Sequence, residues 1–162
     1  MDMRLELGRM LDRYDEVRRD AAARKLQVES DQASFLKGFA DFRREVLRPV
    51  FESAGAILKE RGHGFRITEE EFALDSGGKA AEASISLRVD PAGMEALAQA
   101  DDHLRSFSFT TRHYNKTIWM SFGAAMNAGG SLGSKGAYQL SQLNAELVQA
   151  ELLKFIAGIV KA

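Results

Sequence analysis

The stretch Gly129-Gly130-Ser131-Leu132-Gly133-Ser134-Lys135-Gly136 has the composition in this chain best suited to ligand chemistry. Glycines let a backbone approach a ligand closely, and free N–H groups at a helix start attract phosphate. Lys135 would add a cation. The order of residues argues against a phosphate loop, which needs Gly-Lys-Ser/Thr where this chain has Ser134-Lys135-Gly136. The spacing Gly-x-x-Gly-x-x-Gly also differs from the dinucleotide fingerprint. A flexible connection from a strand to a helix explains the same residues.

Trp119, the single tryptophan, falls at an alternate position among serines and threonines, so it belongs to the wet face of a strand. The expected cross-strand neighbour is Arg112, near enough for a cation–π contact of about 0.5–1 kcal/mol. Tyr114 and Lys116 add an aromatic and basic flavour of the kind single-strand nucleic-acid binders use. Arg112, Tyr114, Trp119 and Lys135 are therefore the candidate ligand- or partner-binding residues. A structural tryptophan, or one at a protein interface, fits the same pattern.

The remaining reactive types offer less. His63, His103 and His113 lack the spacing that sets two metal ligands on one helical face. Asp101-Asp102-His103 reads as a solvated turn, although acidic groups can orient a metal-bound histidine. Glu69-Glu70-Glu71 could supply a carboxylate base but is better explained as a charged strand end. No serine sits in Gly-x-Ser-x-Gly. The expectation is no catalytic residues, no metal and no cofactor, leaning away from an enzyme.

These residues need a scaffold, and two periodicities describe it. Leu7, Leu11, Tyr14, Val17 and Ala21, then Phe35, Phe39, Phe42, Val46 and Val50, recur every three or four residues, as on a helix. Beyond Gly62-His63-Gly64, Phe65/Ile67, Ile85/Leu87/Val89 and Phe107/Phe109 recur every second residue, as on strands. Residues 1–61 thus form a helical element and 62–162 a sheet with a C-terminal helix, read as one α+β domain over 1–162. The first element is either a hairpin of residues 3–29 and 31–61, capped at Ser30-Asp31, or one long helix from about 3 to 47. The long helix would measure ~68 Å, and its apolar stripe would require a partner chain. Pro49 predicts a kink or fresh helix start, because proline removes a hydrogen bond and clashes with the preceding turn.

A four-stranded antiparallel sheet follows, interrupted by a short helix from Pro91 to about Ala100. In the first hairpin a Gly77-Gly78 turn sets Leu74 opposite Ala81, and a bulge near Glu70-Glu71 then pairs Ile67 with Leu87 and Phe65 with Val89. In the second, a turn at Asn115-Lys116 sets Phe109 opposite Phe122 and Thr111 opposite Met120. The core face is Phe65, Ile67, Ile85, Leu87, Phe107, Phe109, Met120 and Phe122. A final helix from about Tyr138 to Val160 packs on the sheet through Leu140, Leu143, Leu147, Ala150, Leu153, Ile156 and Val160.

Bulk composition bounds the function. The 162 residues carry 45% hydrophobic and 28% charged side chains with a net charge of -1, close to globular averages. A dedicated nucleic-acid binder would show a basic excess. The absence of cysteine excludes disulfides and thiolate chemistry and fits a reducing compartment. MDMRLELGRM lacks the apolar core of a secretory signal, and Leu152–Val160 is far short of the ~20 residues that span a bilayer. The resulting expectation is a cytoplasmic, non-membrane, non-enzymatic protein-binding or assembly module, a homodimer or other homo-oligomer associating through its helices. The alternative is an anion- or phosphate-binding protein, or an enzyme, using Gly129–Gly136 with the Arg112/Trp119 face.

Overall fold

The computed structural model describes residues 2–93, 105–123 and 132–160. The chain divides into two compact units, Met1–Ser34 and Phe35–Ala162.

The first unit is helical from Met3 onward. Helix α1 (Met3–Phe42) opens with the Asp2 carboxylate accepting from the Arg4 N–H at 3.0 Å, one of the free donors of a helix start. Of the two arrangements open from sequence, the continuous helix is found. Ser30-Asp31 caps nothing; Asp31 accepts from Gln27 one turn back at 2.9 Å. Among the described residues no side chain before Phe35 is buried.

In the second unit α1 ends and a π-helical turn (Arg43–Leu47) leads into α2 (Arg48–Glu60). The Arg48 N–H bonds back to the Arg43 carbonyl, five residues earlier. Pro49, at the start of α2, has no N–H to continue an α ladder, so the expected kink takes the form of a π turn. Phe35, Phe39, Leu47, Phe51 and Leu58 are buried, while Phe42, Val46 and Val50 are only partly so. The expected stripe is thus rotated from Val46/Val50 to Leu47/Phe51. A four-residue spacing drifts about 40° per step on an α-helix, and the wider π turn takes part of that drift back. Gly62 ends α2 with φ +87°; its N–H reaches Lys59 O at 3.0 Å and that of His63 reaches Leu58 O at 2.9 Å. This paired bonding is a Schellman cap.

Five strands form one antiparallel sheet in the order β1 (Gly64–Glu70), β4 (Ser84–Asp90), β5 (Ser106–Arg112), β6 (Thr117–Gly123), β7 (Leu132–Tyr138). A separate two-stranded ribbon pairs β2 (Ala73–Leu74) with β3 (Ala80–Ala81). The expected count of four strands falls short by β7, whose Leu-Gly-Ser-Lys-Gly-Ala-Tyr has little strand propensity and pairs along β6. Ala92-Gly93 form a turn, and the remainder of the expected inserted helix lies outside the described residues.

Ile67 pairs with Leu87 and Phe65 with Val89, as expected. The route differs. Leu74 pairs with Ala80, so the ribbon keeps the register of the main ladder and no bulge is needed. A three-residue loop, Ser76-Gly77-Gly78, replaces the two-residue turn, with Gly78 at φ +81° and its N–H on Asp75 O at 3.0 Å. The β5–β6 hairpin is two positions out from expectation, with Phe109 opposite Met120 and Phe107 opposite Phe122, because the loop takes four residues, His113–Lys116. A slip of two preserves faces. The sheet's register irregularity lies between β6 and β7, where Lys135 is the extra residue opposite Met120/Ser121.

Helix α3 (Ala145–Val160) starts seven residues later than expected. Asn144 caps it, its Oδ1 accepting from the Leu147 N–H at 2.8 Å. Leu143 and Val148, at the positions of a hydrophobic staple, are both buried. The buried stripe is Val148, Leu152, Phe155 and Ile159, whereas Leu153 is 67% exposed. Phe155 stacks on Phe107 with centroids 5.6 Å apart, so α3 and the π-turn region share one face of the sheet. All eight expected core-face residues belong to the core or pack against it.

A buried guanidinium ties this together. Arg43 donates to Glu70 O at 3.0 Å and Ser84 O at 3.1 Å, and pairs with Glu69 and Glu71. The Glu69–Glu71 run therefore anchors an arginine. Arg43→Met should keep the apolar stem and leave these acceptors unmet. The expected loss is about 3 kcal/mol, read by urea unfolding followed through Trp119 fluorescence; a loss under about 1 kcal/mol would show the guanidinium to be dispensable.

Candidate functional site

Alternation gives the sheet a second face opposite the core. Registers place its side chains in lateral rows: Arg66, Arg88 and Ser106; Thr68, Ser86, Ser108 and Ser121; Glu70, Ser84, Thr110 and Trp119. Small hydroxyl residues dominate the centre, and Ser86 and Ser108 share a hydrogen bond of 2.7 Å. Among the described residues of this face, Arg66, Arg88 and Arg112 stand with Glu70 and Asp90. The Arg88 Nε lies 3.0 Å from Asp90 Oδ1. Arg66, Thr68, Ser86, Arg88 and Ser106 line a cavity of 220 Å³.

Arg112 and Trp119 meet as expected, with the guanidinium carbon 3.9 Å from the ring centroid. The contact is diagonal, since Trp119 lies opposite Thr110 and Arg112 opposite Thr117. Tyr114 is exposed in the hairpin loop, its ring edge-on to His113 at 5.8 Å. Lys135 falls within β7, and its side chain lies outside the described residues. Gly129–Ser131 and Asp101-Asp102-His103 also lie outside them. Leu132–Gly136 belong to a strand, so within the described residues the glycine-rich stretch does not lead directly into a helix start.

Sequence reasoning passed over one polar cluster where the β1–β4 ladder stops. The buried Thr111 hydroxyl accepts from Ala83 N–H at 3.0 Å and donates toward Glu82 Oε1, also at 3.0 Å. Glu82 Oε1 accepts from His113 N–H at 3.1 Å, and Glu82 Oε2 lies 2.7 Å from His113 Nδ1. Phe72 packs on the imidazole, centroids 4.9 Å apart. A carboxylate that orients an imidazole is one half of a general-base arrangement. Among the described residues no serine, threonine or lysine hydrogen-bonds to His113, so the pair fastens the ribbon to β5. The signal available in sequence was a buried-face threonine next to a strand-end histidine. His63 is likewise structural, its Nδ1 accepting from Ala92 N–H at 2.9 Å. Among the described residues no group of three His, Asp or Glu could hold a metal ion.

The apolar surfaces form a separate class. Pro49, Val50, Ala54 and Ile57 of α2 with Leu152 and Leu153 of α3 line a groove of 460 Å³. Ile57 is 61% exposed at its edge. No described helix is long and apolar enough to cross a membrane.

No protein-family model matches this chain, and no curated protein or solved structure is found to be similar to it.

Two substitutions test the roles assigned here. Thr111→Val should leave Ala83 N–H unmet in the interior and cost about 1–3 kcal/mol. Arg112→Ala should shift the Trp119 emission and cost only about 0.5–1 kcal/mol. Chemical denaturation of both variants measures the difference, and an Arg112 effect as large as that of Thr111 would contradict the ranking.

Proposed function

We propose that this chain is a non-enzymatic assembly module that self-associates through the first unit of its structure, as a homodimer. The observation that carries the reading is the exposure of an ordered apolar seam. Met3, Leu7, Met10, Tyr14, Val17 and Ala21 follow four-three spacing, the a/d pattern of a coiled coil, and Val28 resumes it one heptad on, past Arg24. Every one of them is exposed; Tyr14 and Val17 are 61% and 59% exposed. Each large apolar side chain buried there is worth about 1.5–3 kcal/mol, and helices draw most of their stability from such packing. Off the seam, Arg9 pairs with Glu6 and Arg18 with Asp15, the mixed charge that keeps the outer face of a paired helix in water.

The partner of simplest chemistry is a second copy, since a two-fold interface needs only one self-complementary surface. The exposed apolar edge of the α2/α3 groove is a further contact surface for a protein partner. The ligand-binding alternative is less favoured, because the Arg112 guanidinium covers one face of the indole that a ligand would stack on.

Sedimentation equilibrium of the full chain tests the reading. The wild type should be dimeric at micromolar concentration, and Tyr14→Glu/Val17→Glu should be monomeric with reduced helical circular dichroism. The second unit supplies the control: Trp119 fluorescence should still report a folded sheet in the double variant. A wild type that stays monomeric at that concentration overturns self-association.

A further inference from the structure

A helix that pairs with its own copy meets it running either the same way or the opposite way. The charges beside the seam of α1 suit only one of these. Leu7, Tyr14, Ala21 and Val28 hold a positions, and Met3, Met10, Val17 and Arg24 hold d positions. The flanking g positions are Glu6, Arg13, Asp20 and Gln27, and the e positions are Arg4, Leu11, Arg18 and Lys25. All of these side chains are exposed. Glu6 and Arg18 are met on their own helix by Arg9 and Asp15. Among the described residues neither Arg13 nor Asp20 has an ion pair within its own chain.

In a parallel pair like layers meet, so Arg24 faces the partner's Arg24 inside the seam. Each g residue then meets the e residue five positions on. Arg13 faces the partner's Arg18, a like-charge contact made twice, and Glu6 faces the partner's Leu11. Asp20 alone gains an opposite charge, from the partner's Lys25.

In an antiparallel pair a meets d, g meets g and e meets e. Let Met3–Val28 overlap itself in full. Met3 then meets the partner's Val28, Met10 the partner's Ala21, and Tyr14 the partner's Val17. Arg24 lies across from the partner's Leu7, where its stem covers an apolar residue while the guanidinium stays in water. Arg13 faces the partner's Asp20, and the two-fold axis repeats the contact. Leu11 packs on the stem of the partner's Arg18. Like charge remains only between Arg4 and the partner's Lys25, at the wet ends of the pair. Sliding by one heptad ruins the match, setting Arg13 on the partner's Arg13 in one direction and Asp20 on the partner's Asp20 in the other.

We propose that α1 pairs with a second copy running antiparallel over Met3–Val28, centred between Asp15 and Glu16. Arg13 and Asp20 select both direction and register. This pairing rests on the self-association proposed above and adds to it the way the partner is recognised.

The chain has no cysteine, so introduced cysteines report the direction. Met10→Cys and Ala21→Cys are oxidised singly, and also after being mixed in urea and refolded together. A disulfide needs Cα atoms within about 7 Å, whereas antiparallel copies hold like positions at Met10 ~16 Å apart along the axis. A covalent dimer is therefore expected in the mixture and not in either variant alone. Covalent dimers of each variant alone would mean a parallel pair and overturn the proposal. Sedimentation equilibrium gives a second readout. Arg13→Glu should raise the dimer Kd about ten-fold, and adding Asp20→Arg should restore it, with Trp119 fluorescence confirming the fold. A lower Kd in Arg13→Glu, as when glutamate meets the partner's Arg18 in a parallel pair, overturns the proposal. A wild type that is dimeric while no sample cross-links overturns the register and leaves self-association standing; a monomeric wild type overturns both.

Discussion

Hydrogen-bond ladders have to end somewhere, and in this protein the end of the β1–β4 ladder is held by one buried side chain. Glu70 and Ser84 are the last paired residues. Beyond them the backbones of Glu71-Phe72 and Glu82-Ala83 separate before the β2–β3 ribbon resumes in the same register. Arg43 supplies donors to both terminal carbonyls. Its charge is met by Glu69 and Glu71 from the same strand end, and Phe39 lies under it at 5.8 Å. A buried arginine without these acceptors would be costly. With them it fixes the π turn to the sheet at a defined height.

The π turn follows from that constraint. Phe35, Phe39, Arg43, Leu47, Phe51 and Gly55 stand four apart, and all six are buried. On an unbroken α-helix such a row would wind off the sheet after a few turns. The wider turn at Arg43–Leu47 keeps it facing inward, and Pro49 makes the wider turn inexpensive by lacking an N–H. At Gly55 the row comes so close that a Cβ would lie 2.4 Å from the Phe65 ring, which explains a glycine in mid-helix. Upstream of Ser34 the apolar spacing is four-three instead. One continuous helix thus carries two periods, one suited to a sheet and the other to another helix.

Much of this was legible in the sequence, and the failures share a cause. Period distinguished helix from strand at Gly62 and, because the face of a strand depends only on parity, put eight residues on the core face correctly, missing the equally buried Val89 and Ile118. Register depends on loop length, which is why the β5–β6 pairing came out two positions away while Phe107, Phe109, Met120 and Phe122 stayed on the core side. β7 was hidden because Gly133, Ser134 and Gly136 carry no strand signal, and pairing with the free edge of β6 overrode their propensity. The start of α3 was legible at Asn144, followed by Ala145-Glu146, but the apolar run beginning at Leu140 outweighed that cap. Arg43, a charge on an apolar stripe, was a signal of a buried anchor. The pairing of Ile67 with Leu87 already implied Arg66 opposite Arg88.

That last pair shows how the two faces of the sheet differ in what they constrain. On the core face a substitution meets packed side chains on both sides, and phenylalanines at Phe51, Phe107, Phe109 and Phe155 contact one another directly. Stability alone accounts for their identity. The open face meets no such demand; serine and threonine suffice there, and a glutamate opposite Arg66 would pair with it across the ladder. Two arginines face each other there instead, Arg66 and Arg88, and Asp90 lies 3.0 Å from the Nε of Arg88. A residue pattern that packing does not call for is where a binding role has to be sought. The same logic applies to the exposed seam of α1, whose ordered apolar spacing has no use in an isolated helix and a direct one in a pair.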